Sequence, residues 1–411
     1  MAPDGWRESK LEDIAEKVMV GIASAATHAY AEHGIRMLRN LNIKDGWIDD
    51  SDILYVHEEY EKSFRNKRLK SGDILTVRTG YPGISAVVPS SYEGAQCFTA
   101  LITRLNKEKA LPEYVCRYIN SEYGRRFVTR GEAGGAQKNV NAGMLKKLLI
   151  PLPPIREQQK IADILSAWDE AITITELLLA NSEQQKKALM QQLLTGKKRL
   201  TGFKGGWSTA RMGNIFRRVT TKNEGQSSNV VTISAQKGLV RQQEFFKKSV
   251  ASETLEGYFL LKKGQFAYNK SYSNGYPMGA IKKLNRYSDA VVTTLYICFD
   301  VADPEVTDSE YFEHFFEAGL LNHGLSKVAN EGGRAHGLLN VKPSDFFSLR
   351  LPLPDIEEQK AIAKVITAAD EEIERFKQDL MLLKDEKRAL MQRLLTGKRR
   401  VKIDEAERVS A

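Results

Sequence analysis

The chain has 411 residues, 42% hydrophobic and 27% charged, enough for two or three domains with their own cores and ordinary for a globular protein. No run of about 18 apolar residues and no basic start leading into an apolar core occurs, so neither a membrane-spanning helix nor a signal peptide is expected. Three isolated cysteines, Cys97, Cys116 and Cys298, fit a reducing cytoplasmic setting, and the formal charge of +9 suits a polyanionic partner without identifying one.

In chain order, residues 1–150 read as a mixed α/β domain. Gly5-Trp6 and Leu11 to Ile14 open it, and strands are expected at Arg36 to Ile43, Asp73 to Arg78, Ser85 to Val88 and Phe98 to Leu105. Pro112 starts an amphipathic helix with Val115, Tyr118, Ile119 and Phe127 facing inward. A glycine-rich loop from Gly131 to Asn141 then leads to a closing strand at Leu145 to Ile150.

Residues 151–202 are expected to be mostly one long helix, and the chain writes this stretch twice. Pro151-Leu152-Pro153, Glu157-Gln158 and Leu193-Leu194-Thr195-Gly196-Lys197 return as Pro352-Leu353-Pro354, Glu358-Gln359 and Leu394-Leu395-Thr396-Gly397-Lys398. Pro352 follows Pro151 by 201 positions and Gly397 follows Gly196 by the same 201. Apolar positions recur with alternating spacings of four and three, the seam of a coiled coil. The first seam is Ile161, Leu165, Trp168, Ile172, Thr175, Leu179, Ser182, Lys186, Leu189 and Leu193. The second is Ile362, Ile366, Ala369, Ile373, Phe376, Leu380, Leu383, Lys387, Leu390 and Leu394. Prolines bar helix upstream, Asp355 with Glu358 resembles a capping box, and Gly196 and Gly397 suit the left-handed residue past a helix end. Two helices of about 40 residues follow, on the order of 60 Å each at 1.5 Å per residue. Each could pack on its own domain or pair between chains, but pairing within the chain is favoured, antiparallel if a pseudo-twofold axis relates the halves.

Residues 203–350 repeat the outline of the first domain. Gly206-Trp207 and Ile215 stand 201 positions after Gly5-Trp6 and Ile14, strand-like Ala290 to Phe299 precedes a helix at Ser309 to Val328, and Gly332 to Val341 echoes Gly134 to Val140. The second long helix fills 351–400, and 401–411 form a tail. The fold class expected is α/β (α+β): duplicated globular domains separated by two long helices in an intramolecular antiparallel coiled coil, a pseudo-twofold tandem repeat. The helices are near copies while the globular domains diverge at their loops, as a reader of two unlike half-targets requires; drift after duplication would leave the same pattern. Lys197 to Arg199 and Lys398 to Arg400, past the helix ends, read equally as solvated termini or phosphate contacts.

No catalytic constellation emerges. No Asn-Pro-Pro-Tyr-like methyltransferase motif and no Gly-x-x-x-x-Gly-Lys-Ser/Thr loop occurs, the six histidines lack zinc-like spacing with the cysteines, and the nuclease-like fragments at Pro3 to Lys10 and Pro354 to Lys360 read as coincidence. The chain is expected to be non-catalytic, with no cofactor and no metal of its own.

With the Pro-Leu-Pro-x-Ile-x-Glu-Gln entry and the Leu-Leu-Thr-Gly-Lys exit at both helices, the whole chain resembles the specificity subunits of Type I restriction-modification systems. The resemblance implies two target-recognition domains, each reading half of a split site in double-stranded DNA. It implies conserved helices that set the spacer and dock two modification (methyltransferase) subunits, joined by restriction (ATP-dependent translocase/endonuclease) subunits. S-adenosylmethionine, ATP and Mg would then belong to those partners, and no membrane is involved. The target bases cannot come from the resemblance.

Loops where basic, amide and aromatic side chains meet glycine are the candidate DNA readers. In the first domain these are Arg78, Thr79 and Tyr81, with Gln137, Lys138 and Asn139. In the second they are Asn269, Lys270, Tyr272, Asn274 and Tyr276, with Arg334 and His336. Arg suits guanine, Asn and Gln suit adenine, and Lys mostly holds phosphate. The alternative function is a coiled-coil adaptor or structural protein whose basic heads bind protein or nucleic acid non-specifically; a self-contained DNA enzyme lacks any cofactor motif.

Overall fold

Two helices of 39 residues, Ile155–Leu193 and Ile356–Leu394, dominate the computed structural model, which describes residues 3–24, 26–130, 139–245, 254–329 and 339–402. Both begin just after the proline-rich entries. Both end at a glycine with φ of 69°, where the amide of Lys198 bonds back to the Gln192 carbonyl at 3.1 Å and that of Arg399 to Arg393 at 3.0 Å. Only glycine adopts this left-handed turn without strain, so the two exits reverse the chain in the same way.

The residues divide into two units, Met1–Glu176 with Gln378–Ala411, and Leu177–Lys377. The divisions fall inside both long helices, so each unit holds one globular head, the opening part of one helix and the closing part of the other. In the first unit Asp169 pairs with Lys387, and Glu176 with Lys384 at 2.7 Å. Residue numbers rise along one segment and fall along the other, so the segments run in opposite directions. In the second unit Lys186 pairs with Asp370, Lys377 with Glu183 at 3.6 Å, and Ser182 Oγ donates to Glu372 at 3.2 Å. Every seam position named above is buried or half-buried. The polar ones are satisfied: Lys186 and Lys387 by carboxylates, and Thr175 by donating to the Ala171 carbonyl at 2.8 Å.

In the first head, strand Arg7–Lys10 pairs antiparallel with Leu149–Leu152, joining the start of the head to its end. A four-stranded antiparallel sheet follows in the order Ala15–Val20, Leu101–Leu105, Ile74–Thr76, Ser85–Val87, and a second sheet holds Tyr30–Ala31, Leu54–Val56, Ile35–Leu38 and Gln96–Cys97. The strand expected over Arg36 to Ile43 stops at Leu38, because Asn42 Oδ1 accepts from the Arg39 amide at 2.8 Å and folds Asn40–Asn42 into a 3₁₀ turn. The strand expected over Leu145 to Ile150 is instead a short helix, Ala142–Lys146, capped by Asn141, and then a strand. The helix from Pro112 breaks at Ser121 into Pro112–Asn120 and Glu122–Arg130.

In the second head Ser208–Arg211 pairs with Arg350–Leu353, and the four-stranded sheet runs Phe216–Val219, Ile297–Val301, Phe266–Asn269, Ala280–Lys283. The expected strand over Ala290 to Phe299 is two, Asp289–Val292 and Ile297–Val301, in different sheets. The expected helix over Ser309 to Val328 divides into Ser309–Glu317 and Asn322–Val328, with Gly319 left-handed between them. The main core of this head is aromatic, with Phe216, Phe266, Phe299, Phe312, Phe316 and Phe346 in mutual contact, whereas the first head buries mostly aliphatic side chains. The three cysteines are buried and unpaired, and burial pushes each thiol up to about 12. Among the described residues no helix is long and apolar enough to cross a membrane.

Candidate nucleic-acid interface

The repeated Glu-Gln and Leu-Leu-Thr-Gly-Lys motifs meet in space. In the first unit Glu157, 1% exposed, accepts two bonds from Arg400 at 2.7 and 2.8 Å and one from Trp6 Nε1 at 3.2 Å. Arg400 also lies over the Trp6 ring, 5.6 Å from its centre, and donates to the Asp4 carbonyl at 2.8 Å. In the second unit Glu358 receives both nitrogens of Arg199 and Trp207 Nε1 at 2.9 Å, with Arg199 5.5 Å from the Trp207 ring centre and bonded to the Gly205 carbonyl at 2.6 Å. A bidentate, charge-assisted pair closed by an indole donor satisfies a carboxylate that water cannot reach. The exit of each long helix thereby fastens the entry of the other. Glu358 is thus the anchor of this latch and not half of a capping box, and Arg199 and Arg400 are committed to it.

The neighbouring glutamines hold the heads. Gln158 Oε1 accepts from the Leu111 amide at 2.9 Å, directly before the helix at Pro112, and its Nε2 donates to the Pro153 carbonyl at 2.9 Å. Gln359 does the same with the Asp308 amide and the Pro354 carbonyl, each at 2.8 Å. Both glutamines are buried.

On each head, two loops singled out from sequence come together. Strand Ile74–Thr76 runs on into Arg78, whose carbonyl accepts from the Val140 amide at 3.0 Å, and Thr79 bridges to Asn139. Asn139 is exposed, and Tyr81 is 78% exposed at the tip after left-handed Gly80. Asn40, which the sequence gave no reason to select, joins them by donating to Thr79 Oγ1 at 3.2 Å. In the second head the carbonyl of Lys270 accepts from the Leu339 amide at 3.0 Å. Asn269 Oδ1 caps the turn by accepting from the Ser271 amide at 3.1 Å, Tyr272 is 63% exposed, and Asn274 is exposed at the tip. Tyr276 differs: it is half-buried, its hydroxyl meets Glu317 and Lys282, and burial with the Glu317 contact raises its pKa. That commits its hydroxyl within the protein. Gln137, Lys138, Arg334 and His336 lie outside the described residues. No group of acidic, histidine or cysteine side chains suited to a metal occurs among the described residues.

Residues 3–184 match the family described as Type I restriction modification DNA specificity domain. A chain from Methanocaldococcus jannaschii, named for the specificity subunit of the type I restriction enzyme MjaX, is 27% identical over 433 aligned positions, covering 97% of this chain and 95% of that one. In fold, the chain is similar to the HsdS subunit from Thermoanaerobacter tengcongensis (TM-score 0.55, 18% identity, 97% and 98% of the two chains covered). It is also similar to the Type-I restriction-modification system S subunit from M. genitalium (TM-score 0.55, 14% identity, 95% and 96% covered). Over residues 3–184 the chain thus matches a DNA specificity domain family, and over nearly its whole length it is similar in sequence and fold to Type I restriction-modification specificity subunits.

Proposed function

We propose that this chain is the sequence-specific DNA-recognition subunit of a Type I restriction-modification complex, reading a two-part, asymmetric site with one head per part. The observation that carries this reading is the pairing of identical fastenings with unlike readers. Trp, Glu and Arg recur at the same spacing in both latches, while the loops gathered at Arg78 and at Lys270 share their backbone pairing and little of their sequence. A scaffold kept constant beneath divergent polar loops is what base readout of two different half-sites requires.

In this reading the long helices form an intramolecular antiparallel coiled coil with pseudo-twofold symmetry, which sets the spacer and scaffolds two modification subunits, with restriction subunits joining that core. Chemistry lies in those partners: methyl transfer with S-adenosylmethionine, and ATP- and Mg-dependent translocation and cleavage. The chain itself is a non-catalytic, cytoplasmic protein. Half-sites read from one face of the duplex are about 34 Å, one helical turn, apart. The test is to sequence modified adenines in a host carrying this chain with its modification subunits. A two-part, non-palindromic motif of fixed spacing is expected; a contiguous or palindromic motif rejects the proposal, and duplex binding with no sequence preference favours the adaptor reading.

A further inference from the structure

We propose that Arg78 reads a guanine in the half-site recognised by the first head. This rests on the function proposed above and narrows it to one side chain and one base.

Among the described residues of the first head, six arginines are half-buried. Five have acceptors: Arg36 the Ser91 carbonyl, Arg39 Asp52, Arg68 Glu61, Arg104 Asp73 and Arg117 Asp169. Arg78 has none among the described residues; its Nε is buried without a hydrogen-bond partner, as are those of Arg39 and Arg117, but only in Arg78 do the terminal nitrogens lack one too. A guanidinium that has lost part of its hydration and gained no bond costs the free protein stability. Such a local conflict belongs where a ligand resolves it.

The backbone that carries this side chain is fixed on both sides. The Val77 amide bonds to the Ile84 carbonyl at 2.8 Å, and the Arg78 carbonyl accepts from Val140 at 3.0 Å. A planar fork on a fixed base matches guanine O6 and N7 together, which a mobile surface arginine does less well. The second head offers an internal contrast. Lys270 follows the corresponding strand and its carbonyl accepts from Leu339 in the same way, but an ammonium is a single rotating point charge with no bidentate match to a base.

The test uses the full-length chain with its modification subunits, as wild type, R78K and R78A, and reads the methylated adenine motif of each. The half-site belonging to the first head is identified by exchanging residues 1–150 for those of a relative. The wild type is expected to show a guanine in that half, and either variant to lose about tenfold or more of the discrimination at that one position while keeping the rest. R78K retains charge and stem, and unchanged thermal unfolding of both variants shows that the fold is intact. Three results overturn the inference: no guanine in that half, relaxation in the other half, or a loss uniform over all sequences with a shallower salt dependence, which marks a phosphate contact. A wild type without any two-part motif refutes the underlying function instead, and is told apart because it needs no variant.

Discussion

In the first unit Arg117, three residues beyond Tyr114, donates to Asp169 and to Ser166 Oγ, each at 2.7 Å. In the second, His314 stands three residues beyond Tyr311; its Nε2 meets Thr367 Oγ1 at 3.0 Å, and Nδ1 lies 3.9 Å from Asp370. Asp370 and Thr367 follow Asp169 and Ser166 by the same 201 positions. The head-to-helix contact is therefore one design executed with a permanent charge on one side and a titratable ring on the other. A lysine from the other long helix, Lys387 or Lys186, reaches the same aspartate in each. Position and partners are shared, and the difference lies in what acid can change.

The latches set the scale against which that difference is read. Arg400→Ala leaves Glu157 buried with only the indole donor, and should cost the first unit about 2 kcal/mol, below the 3–5 kcal/mol of a fully buried pair because Arg400 is 45% exposed. Denaturant unfolding followed by Trp6 fluorescence measures it; no change would mean that water screens the pair completely. Next in size, Arg117→Ala should cost about 1 kcal/mol, since Asp169 retains Lys387, and hydrogen exchange of the helix at Pro112–Asn120 reports it.

The smallest effect is the one that distinguishes the units. His314 faces Asp370, Glu313, Lys186 and Lys283, and its pKa lies below the ordinary value first because it is buried, against the pull of Asp370 and Glu313. A histidine with a depressed folded pKa favours its neutral form. Its contribution is complete above the unfolded value of about 6.5 and is lost as pH falls through it. Between pH 8 and 5 the second unit should lose stability through this group, a loss removed by His314→Gln. Hydrogen exchange at Ser309–Glu317, compared with Pro112–Asn120, tests it; equal acid sensitivity in wild type and variant would erase the contrast.

The long helices could be read from sequence because their signals are local: a period, a proline entry and a glycine exit. The latches could not, since Trp6, Glu157 and Arg400 are distant in the chain, although each recurs 201 positions later as Trp207 or Glu358, or earlier as Arg199. Reading Glu358 as a capping residue shows how a local motif can hide a long-range role. Strands Arg7–Lys10 and Ala15–Val20 escaped because adjacent charges, Arg7-Glu8 and Glu16-Lys17, break the apolar alternation of a strand, their stability coming from partners about 80 to 145 residues away. The loop at Arg78 was legible by residue type, but only its missing acceptor separates it from the paired arginines nearby.

Each latch takes its arginine from one repeat and its glutamate and tryptophan from the other. A single repeat owns all three side chains, but the entry of its helix belongs to one unit and the exit to the other. Two separate copies could satisfy each other twice over. One repeat by itself would accordingly leave the Glu157 carboxylate to its indole donor alone and the Arg199 guanidinium without a carboxylate.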